Sequence, residues 1–392
     1  MSWKRNRSDQ TMSSIILAGD IGGTKTILAL YDTIDTSDIS TGRPSKSQSN
    51  LLAEQVFRNI EFSGFPEIIT AFLAKQKERP NHACFGVAGP VRANKVHMTN
   101  LDWILDGPAL AAQFGIDEVL LVNDLVATTA GAILLPEDSL ITLNQGRPEA
   151  GGSIGVLAVG TGLGQSFAVP IMDDNRFQPF PTEGGHVSFA PRNQEQIDLL
   201  QFMLSRSEQQ RKQQRRQHEQ SPCQNPQVNP HVSVEQVCSG MALPDLYAFQ
   251  LTRCSEPEWM REKRLAADPD ALSPLIVASA NAALNAAAGP TDVNGVPGVL
   301  PCEPAVEAVR LLLDILAAEA ANFTLKVLAT GGIFLGGGML PRLLAHIDQG
   351  RFMEIFCRGV YRNMLADIPV HIITDPNTAL IGARQLAMKI KK

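Results

Sequence analysis

In Ile15-Ile-Leu-Ala-Gly-Asp20-Ile-Gly-Gly-Thr24 an apolar run stops at two glycines, and a second run follows over residues 26–31. Short apolar runs on either side of a glycine pair predict a β-hairpin with a tight turn. Residues 65–79 then carry apolar side chains at 65, 68, 69, 72 and 73, the spacing of one helix face. Residues 82–88 read as a buried strand ending at Gly89-Pro90. A helix from near Pro108, a strand over 118–122 and a helix from about Leu125 follow. Strands alternating with helices in this way predict an α/β fold.

The second half has the same pattern. Residues 154–159 form an apolar run into Gly160-Thr-Gly-Leu-Gly164, with 165–169 as its hairpin partner. Residues 305–328 are the longest helix candidate, with Pro304 suited to the first turn. Glycines flank a strand at 333–335, a helix opens at Pro341, and a strand at 370–374 precedes a C-terminal helix. Residues 37–50 read as a polar loop. At 206–230, glutamine, arginine and proline provide little apolar surface, which predicts a surface insertion, mobile or partly helical. An ordered contact arm is the alternative there.

The 392 residues suffice for two domains, and 44 % hydrophobic with 19 % charged residues excludes wholesale disorder. A formal net charge of −6 gives no reason to expect a nucleic-acid or anionic-membrane partner. Six cysteines, at 84, 223, 238, 254, 302 and 357, form no CxxC pair, which suits reduced thiols and a cytoplasmic protein. The apolar stretch after Lys4, Arg5 and Arg7 is too short for a signal peptide, and Asp314 and Glu319 argue against a membrane span at 311–321.

Several residues can carry chemistry. Gly22 and Gly23 leave backbone N–H groups open to an oxyanion, and Asp20 beside them suits Mg²⁺, which prefers oxygen ligands. The chain has no GxxxxGK[ST] phosphate loop. Gly160–Gly164 is a second glycine turn, and Gly336, Gly337 and Gly338 form a third cluster where a nucleotide can approach backbone. Each is also readable as a plain turn. Asn123 and Asp124 end a strand on the edge where open sheets bind ligands. Asp124 suits either a helix N-cap or a base taking a hydroxyl proton during phosphoryl transfer. Glu183-Gly-Gly-His186 can hold two neighbouring hydroxyls or be an ordinary loop. Ser233-Val-Glu-Gln236 fits a capping box that sets Glu235 near a helix N-terminus.

These strings, together with Met98-Thr-Asn100, Trp103, Ser239-Gly240 and residues 331–341, resemble the bacterial glucokinase family within the actin-like ATPase group of sugar kinases. They run in the family order over about 15–385. The resemblance implies a two-lobed α/β fold of the actin-like ATPase, ribonuclease H-like kind. A flexible tail at 1–14 would precede a small lobe at 15–123, with the helix at 376–392 packed back on it. The large lobe would span 124–375.

It further implies ATP-dependent phosphorylation of glucose at the 6-hydroxyl, with ATP and Mg²⁺. Asp124 would be the base. Asn100, Asn123, Glu183, His186 and Glu235 would hold the sugar. Asp20, Gly22, Gly23, Thr24, Thr161 and Gly162 would surround phosphates and metal, with Gly336, Gly337 and Gly338 at the adenosine. A homodimer, with no nucleic acid and no membrane, is expected. The glutamine-rich stretch and residues 252–272 look longer than in compact members. The zinc motif of the related repressor and kinase group is absent from the sequence, which disfavours that group's sugars. The competing readings are a kinase for another hexose such as mannose, and a non-catalytic sugar sensor, which would have no need of Asp124.

Overall fold

β1 (Ser13–Ile21) and β2 (Lys25–Ile34) form the hairpin expected from the opening apolar runs, paired in antiparallel register from Ser13↔Ile34 to Ile21↔Thr26. They belong to a computed structural model that describes residues 13–34, 48–98, 101–171, 176–217, 231–284 and 298–389. β3 (Gln48–Arg58) adds to β2 with a register shift at Leu30/Tyr31. This strand is missing from the sequence reading, which assigned 48–50 to a loop. The irregular register and the exposure of Leu51 and Val56 explain why its apolar residues show no clean period of two. The rest of the expected loop, 37–47, lies outside the described residues.

After α1 (Phe65–Leu73) come β4 (His82–Val87), the small β5–β6 pair (Lys95–His97, Ile104–Asp106), α2 (Gly107–Phe114), β7 (Glu118–Asn123) and α3 (Asp124–Ala132). β1, β4 and β7 run parallel, so the five-stranded sheet has the order β3-β2-β1-β4-β7.

β8 (Leu140–Asn144), β9 (Ile154–Val159), β10 (Leu163–Pro170) and β11 (Phe177–Thr182) follow. The helices are α4 (Gln194–Gln217), α5 (Leu243–Gln250), α6 (Glu258–Ala266), α7 (Pro269–Leu284) and α8 (Glu303–Val327). Then come β12 (Gly332–Gly336), α9 (Leu340–Leu343), α10 (Gln349–Phe356), α11 (Arg362–Ala366), β13 (Val370–Ile373) and α12 (Thr378–Lys389). The second sheet, β11-β10-β9-β12-β13-β8, repeats the logic of the first: a hairpin strand that ends in a glycine turn lies beside parallel strands.

The chain divides into two compact units, one of residues 1–140, 166–181 and 375–392, the other of 141–165 and 182–374. The change expected at 123/124 therefore falls later. α3 packs on α12 and β4, and this burial keeps it with the first unit. Strand alternation gives the first sheet two apolar faces. Leu17, Ile21, Phe85 and Leu121 pack with Phe65, Ile68 and Phe72 of α1. Ile16, Ala18 and Cys84 pack with Val126 and Ala130 of α3 and with Leu380 and Ala383 of α12.

In the second unit α8 is the buried axis, against α5, α7 and α10. The Arg310 guanidinium on it reaches Glu195, Glu307 and Asp314 at 2.6–2.7 Å. Of the stretch read as an insertion, 206–217 completes α4, because glutamine and arginine are good helix formers. Residues 218–230 lie outside the described residues. Among the described residues no helix is long and apolar enough to cross a membrane.

Candidate active site

In the first unit the site residues collect at the carboxyl ends of three parallel strands. The register pairs Asp20 with Gly86, Gly86 with Val122, and Val87 with Asn123. By alternation Asp20 shares a face with Ile16 and Ala18, the face covered by α3. Gly86 lies close beneath that helix: a β-carbon there would stand 3.0 Å from Ala127 Cβ, a tight contact, and 3.7 Å from Asp124 Cα.

Asn123 caps α3, its Oδ1 accepting the Leu125 N–H at 3.0 Å. The cap is thus Asn123, whereas the structural alternative for Asp124 had made Asp124 the cap. The chain turns one residue earlier because Asn123 keeps an extended backbone (φ −60°, ψ 144°) and Asp124 is already helical. Asn123 also donates from Nδ2 to the Gly89 carbonyl at 3.2 Å. Asp124 Oδ1 accepts the same Leu125 N–H at 2.9 Å, a position in the first turn where the helix dipole favours a carboxylate.

The hairpin turn beside Asp20 is held by a residue the sequence reading missed. The buried Asn59 donates from Nδ2 to the Gly22 carbonyl at 2.9 Å and accepts from the Thr26 hydroxyl at 2.8 Å. Its N–H donates to the Thr24 carbonyl at 2.9 Å. An isolated asparagine after a strand carries no sequence signal for this role.

Burial raises the Asp20 carboxyl above the ordinary carboxylate range, opposed in part by the Lys25 charge. A carboxylate whose charge is penalised in this way is suited to a cation. Among the described residues no group of three or more His, Cys, Asp or Glu side chains could hold a metal by itself. One carboxylate beside a glycine turn instead fits Mg²⁺ carried in with phosphates, which keeps several of its waters.

In the second unit three further candidates converge. His186 lies between two carboxylates, with Nδ1 3.7 Å from Glu235 Oε1 and Nε2 3.9 Å from Glu183 Oε2. Both separations exceed hydrogen-bond length. The His186 and Glu183 side chains are 62 % and 74 % exposed, so their polar atoms face solvent and can accept a hydroxylated ligand. Glu235 is the inner member, and its Oε2 accepts the Leu163 N–H at 2.9 Å. A β-carbon on Gly162 would collide with that carboxylate. The glycine turn after β9 and the Glu–His–Glu group are therefore directly bonded.

The expected capping box exists: Ser233 N–H donates to Gln236 Oε1 at 2.9 Å, and Gln236 N–H to Ser233 Oγ at 3.4 Å. It closes on a single 3₁₀ turn, Glu235–Val237, so the anticipated helix dipole at Glu235 is not available. The carbonyls of Gly160 and Thr161 accept from the N–H groups of Gly240 and Met241 at 2.9 and 3.1 Å. Gly337, at φ +94°, lies so close to the end of β9 that a β-carbon would overlap the Val159 backbone. The register Gly336↔Ala158 thus sets Gly336, Gly337 and Gly338 beside the turn containing Thr161 and Gly162.

Asp20, Gly22, Gly23, Thr24, Asn123 and Asp124 accordingly belong to the first unit. Thr161, Gly162, Glu183, His186, Glu235 and the 336–338 glycines belong to the second. Asn100 lies outside the described residues.

The family model described as Glucokinase matches residues 17–390. A glucokinase of Nostoc punctiforme is 32 % identical over 387 residues, which cover 96 % of this chain and all of that one. A glucokinase from an Antarctic psychrotroph, solved by crystallography, superposes with a TM-score of 0.72 at 25 % identity, covering 96 % of this chain and 99 % of that one. A ROK family glucokinase from Streptomyces griseus, crystallised with glucose and AMPPNP, gives a TM-score of 0.55 at 17 % identity, with 96 % and 100 % covered. This chain has the mixed α/β, actin-like ATPase fold of these sugar kinases.

Proposed function

The chain belongs to the glucokinase family, and from that premise we propose that it transfers the γ-phosphoryl group of ATP to the 6-hydroxyl of glucose. The observation that carries this reading is Glu235, which bonds the glycine turn at Leu163 and flanks His186 with the same carboxylate. A group able to hold sugar hydroxyls is thus fastened to a turn able to take phosphates. The complex of a like-folded sugar kinase with glucose and AMPPNP supports the same pair of ligands.

Glu183, His186, Glu235 and Asn123, with Asn100 as a further contact, hold the sugar by its hydroxyls. Asp124 takes the proton of the 6-hydroxyl as that oxygen attacks the γ-phosphorus. The bond from phosphorus to the bridging oxygen breaks, ADP leaves, and the proton passes from Asp124 to solvent. Gly22, Gly23, Thr24, Thr161 and Gly162 surround the phosphates, and Gly336, Gly337 and Gly338 leave room for the adenosine. Mg²⁺, when bound with ATP near Asp20, supplies positive charge against the phosphate oxygens. The working form on this reading is a cytoplasmic homodimer, and sedimentation of the purified protein checks the dimer.

Asp124→Ala tests the chemistry. It should keep the wild-type circular dichroism yet lose ~10²–10⁴-fold in kcat, the usual contribution of a positioned base. Retention of more than about half of the wild-type kcat would remove Asp124 from that role.

A further inference from the structure

Glu319, on α8, is 3 % exposed and takes no part in the proposed chemistry. Its Oε1 accepts from Gln165 Nε2 and its Oε2 from Asn322 Nδ2, both at 2.9 Å. Asn322 Oδ1 in turn accepts from Arg358 at 2.6 Å, and Lys326 Nζ stands 4.0 Å from Glu319 Oε1. A carboxylate accepts and does not donate. Gln165, itself 1 % exposed, must therefore turn its NH₂ toward Glu319 and its oxygen away.

That oxygen faces Gly184. A β-carbon on Gly184 would fall on Gln165 Oε1, and one on Gly185 would fall on the Leu163 carbonyl oxygen. The backbone carbonyl of Gln165 accepts from the Thr182 hydroxyl at 2.9 Å, and that hydroxyl accepts the Gly184 N–H at 3.1 Å. The turn between Glu183 and His186 is thus seated on residues 163–165 with no side chain of its own in between. The carboxamide oxygen of Gln165 is thus one of the atoms this turn packs against.

We propose that Glu319 is a positioning residue for the sugar-holding turn. By fixing the Gln165 carboxamide it sets where Gly184 and Gly185 rest, and so where Glu183 and His186 present their polar atoms. This inference rests on the sugar-binding reading above.

Glu319→Gln is the test, because two facing carboxamides can pair in either sense, and in one of them the Gln165 NH₂ points at Gly184. The Michaelis constant for glucose should rise roughly tenfold, within the ~10²-fold that a misplacement of about 1 Å can cost. The constant for ATP should stay within about twofold and the thermal midpoint should change little, a split that a merely structural role would not produce. The exchanged pair, Gln165→Glu with Glu319→Gln, restores a single orientation with an oxygen toward Gly184. It should bring the glucose constant back to within about threefold of wild type.

A folded Glu319→Gln variant with a glucose constant within about twofold of wild type would overturn the proposal, as would an exchanged pair no better than the single variant. If Glu319→Gln does not fold, Gln165→Met, which removes both donor and acceptor, is measured for the same split between the glucose and ATP constants; its thermal midpoint should fall, because the buried Glu319 carboxylate loses a donor. Glu183→Gln separates the two levels. If it leaves glucose affinity unchanged, the sugar-binding reading falls and this proposal with it. If it weakens glucose while Glu319→Gln does not, only the positioning role is lost.

Discussion

Glu235 and Leu163 are joined by a 2.9 Å hydrogen bond from the Leu163 N–H to the Glu235 Oε2, across 72 residues of sequence. The carboxylate therefore has two functions, one toward the glycine turn and one toward the His186 ring, and substitutions can part them.

Glu235→Gln keeps an acceptor for the Leu163 N–H but removes the charge beside His186. Its thermal midpoint should stay near that of wild type while kcat/KM for glucose falls. Glu235→Ala leaves the N–H of the buried Leu163 without its partner, a loss of about 1–3 kcal/mol. Thermal melts of the two variants without sugar compare them directly. Equal destabilisation would show that the Leu163 bond contributes nothing.

α3 and α12 meet backbone to backbone. A β-carbon on Gly131 would fall on the Thr378 carbonyl oxygen, and one on Gly382 on the Ala127 carbonyl oxygen. Gly131→Ala or Gly382→Ala should therefore force the helices apart and destabilise the protein by about 1–3 kcal/mol or more. Gly338 has open space where its β-carbon would stand, so Gly338→Ala is the control expected to leave the melting temperature unchanged. A Gly131→Ala variant that melts with wild type would contradict the close packing.

Asp20 has a pH signature. Its folded carboxyl holds its proton to higher pH than an unfolded one does, so the folded state binds more protons as pH rises through that window. Stability then falls from just below the unfolded value, about 3.9, up to the raised folded value, and stays lowered at neutral pH. Asp20→Asn abolishes this loss. Its melting temperature should exceed that of wild type at pH 7, with the gap closing toward pH 3. A gap that widens on acidification would reverse the assignment.

Asp314 is the shared acceptor of Arg310 and Arg351, bonded by both at 2.6–2.7 Å and 6 % exposed in its side chain. Asp314→Ala leaves Arg310 with Glu195 and Glu307, and leaves Arg351, whose side chain is 49 % exposed, to solvent. With both guanidinium groups still compensated, the loss is that of charge-assisted hydrogen bonds, about 1–3 kcal/mol. Urea unfolding should show the unfolding free energy lowered by that amount, and by less in added salt, because the Arg351 end of the network reaches solvent. A shift below about 1 kcal/mol would mean that water reaches the network.

Much of this protein is legible in local pattern, for a physical reason. The hairpin of β1 and β2, the helix α8 and the strand β7 are encoded by apolar periodicity and by glycines at turns, which act over a few residues. The identities of Asp124, Glu183, His186 and Glu235 as candidates also come from short strings. Where periodicity is broken, as in the irregularly paired β3, the pattern fails. What the tertiary structure alone decides is who touches whom. Asn59 clamps the Gly22 turn from 37 residues away, and Glu319 orients Gln165 from 154 residues away. No period or motif carries such a pairing, since a hydrogen bond depends on the meeting of two atoms in space and leaves the sequence between them unconstrained. The capping box at Ser233 shows both levels at once. Its two reciprocal bonds are local and expected, whereas the length of the element they open, one turn at Glu235–Val237, is set by how the chain packs beyond it.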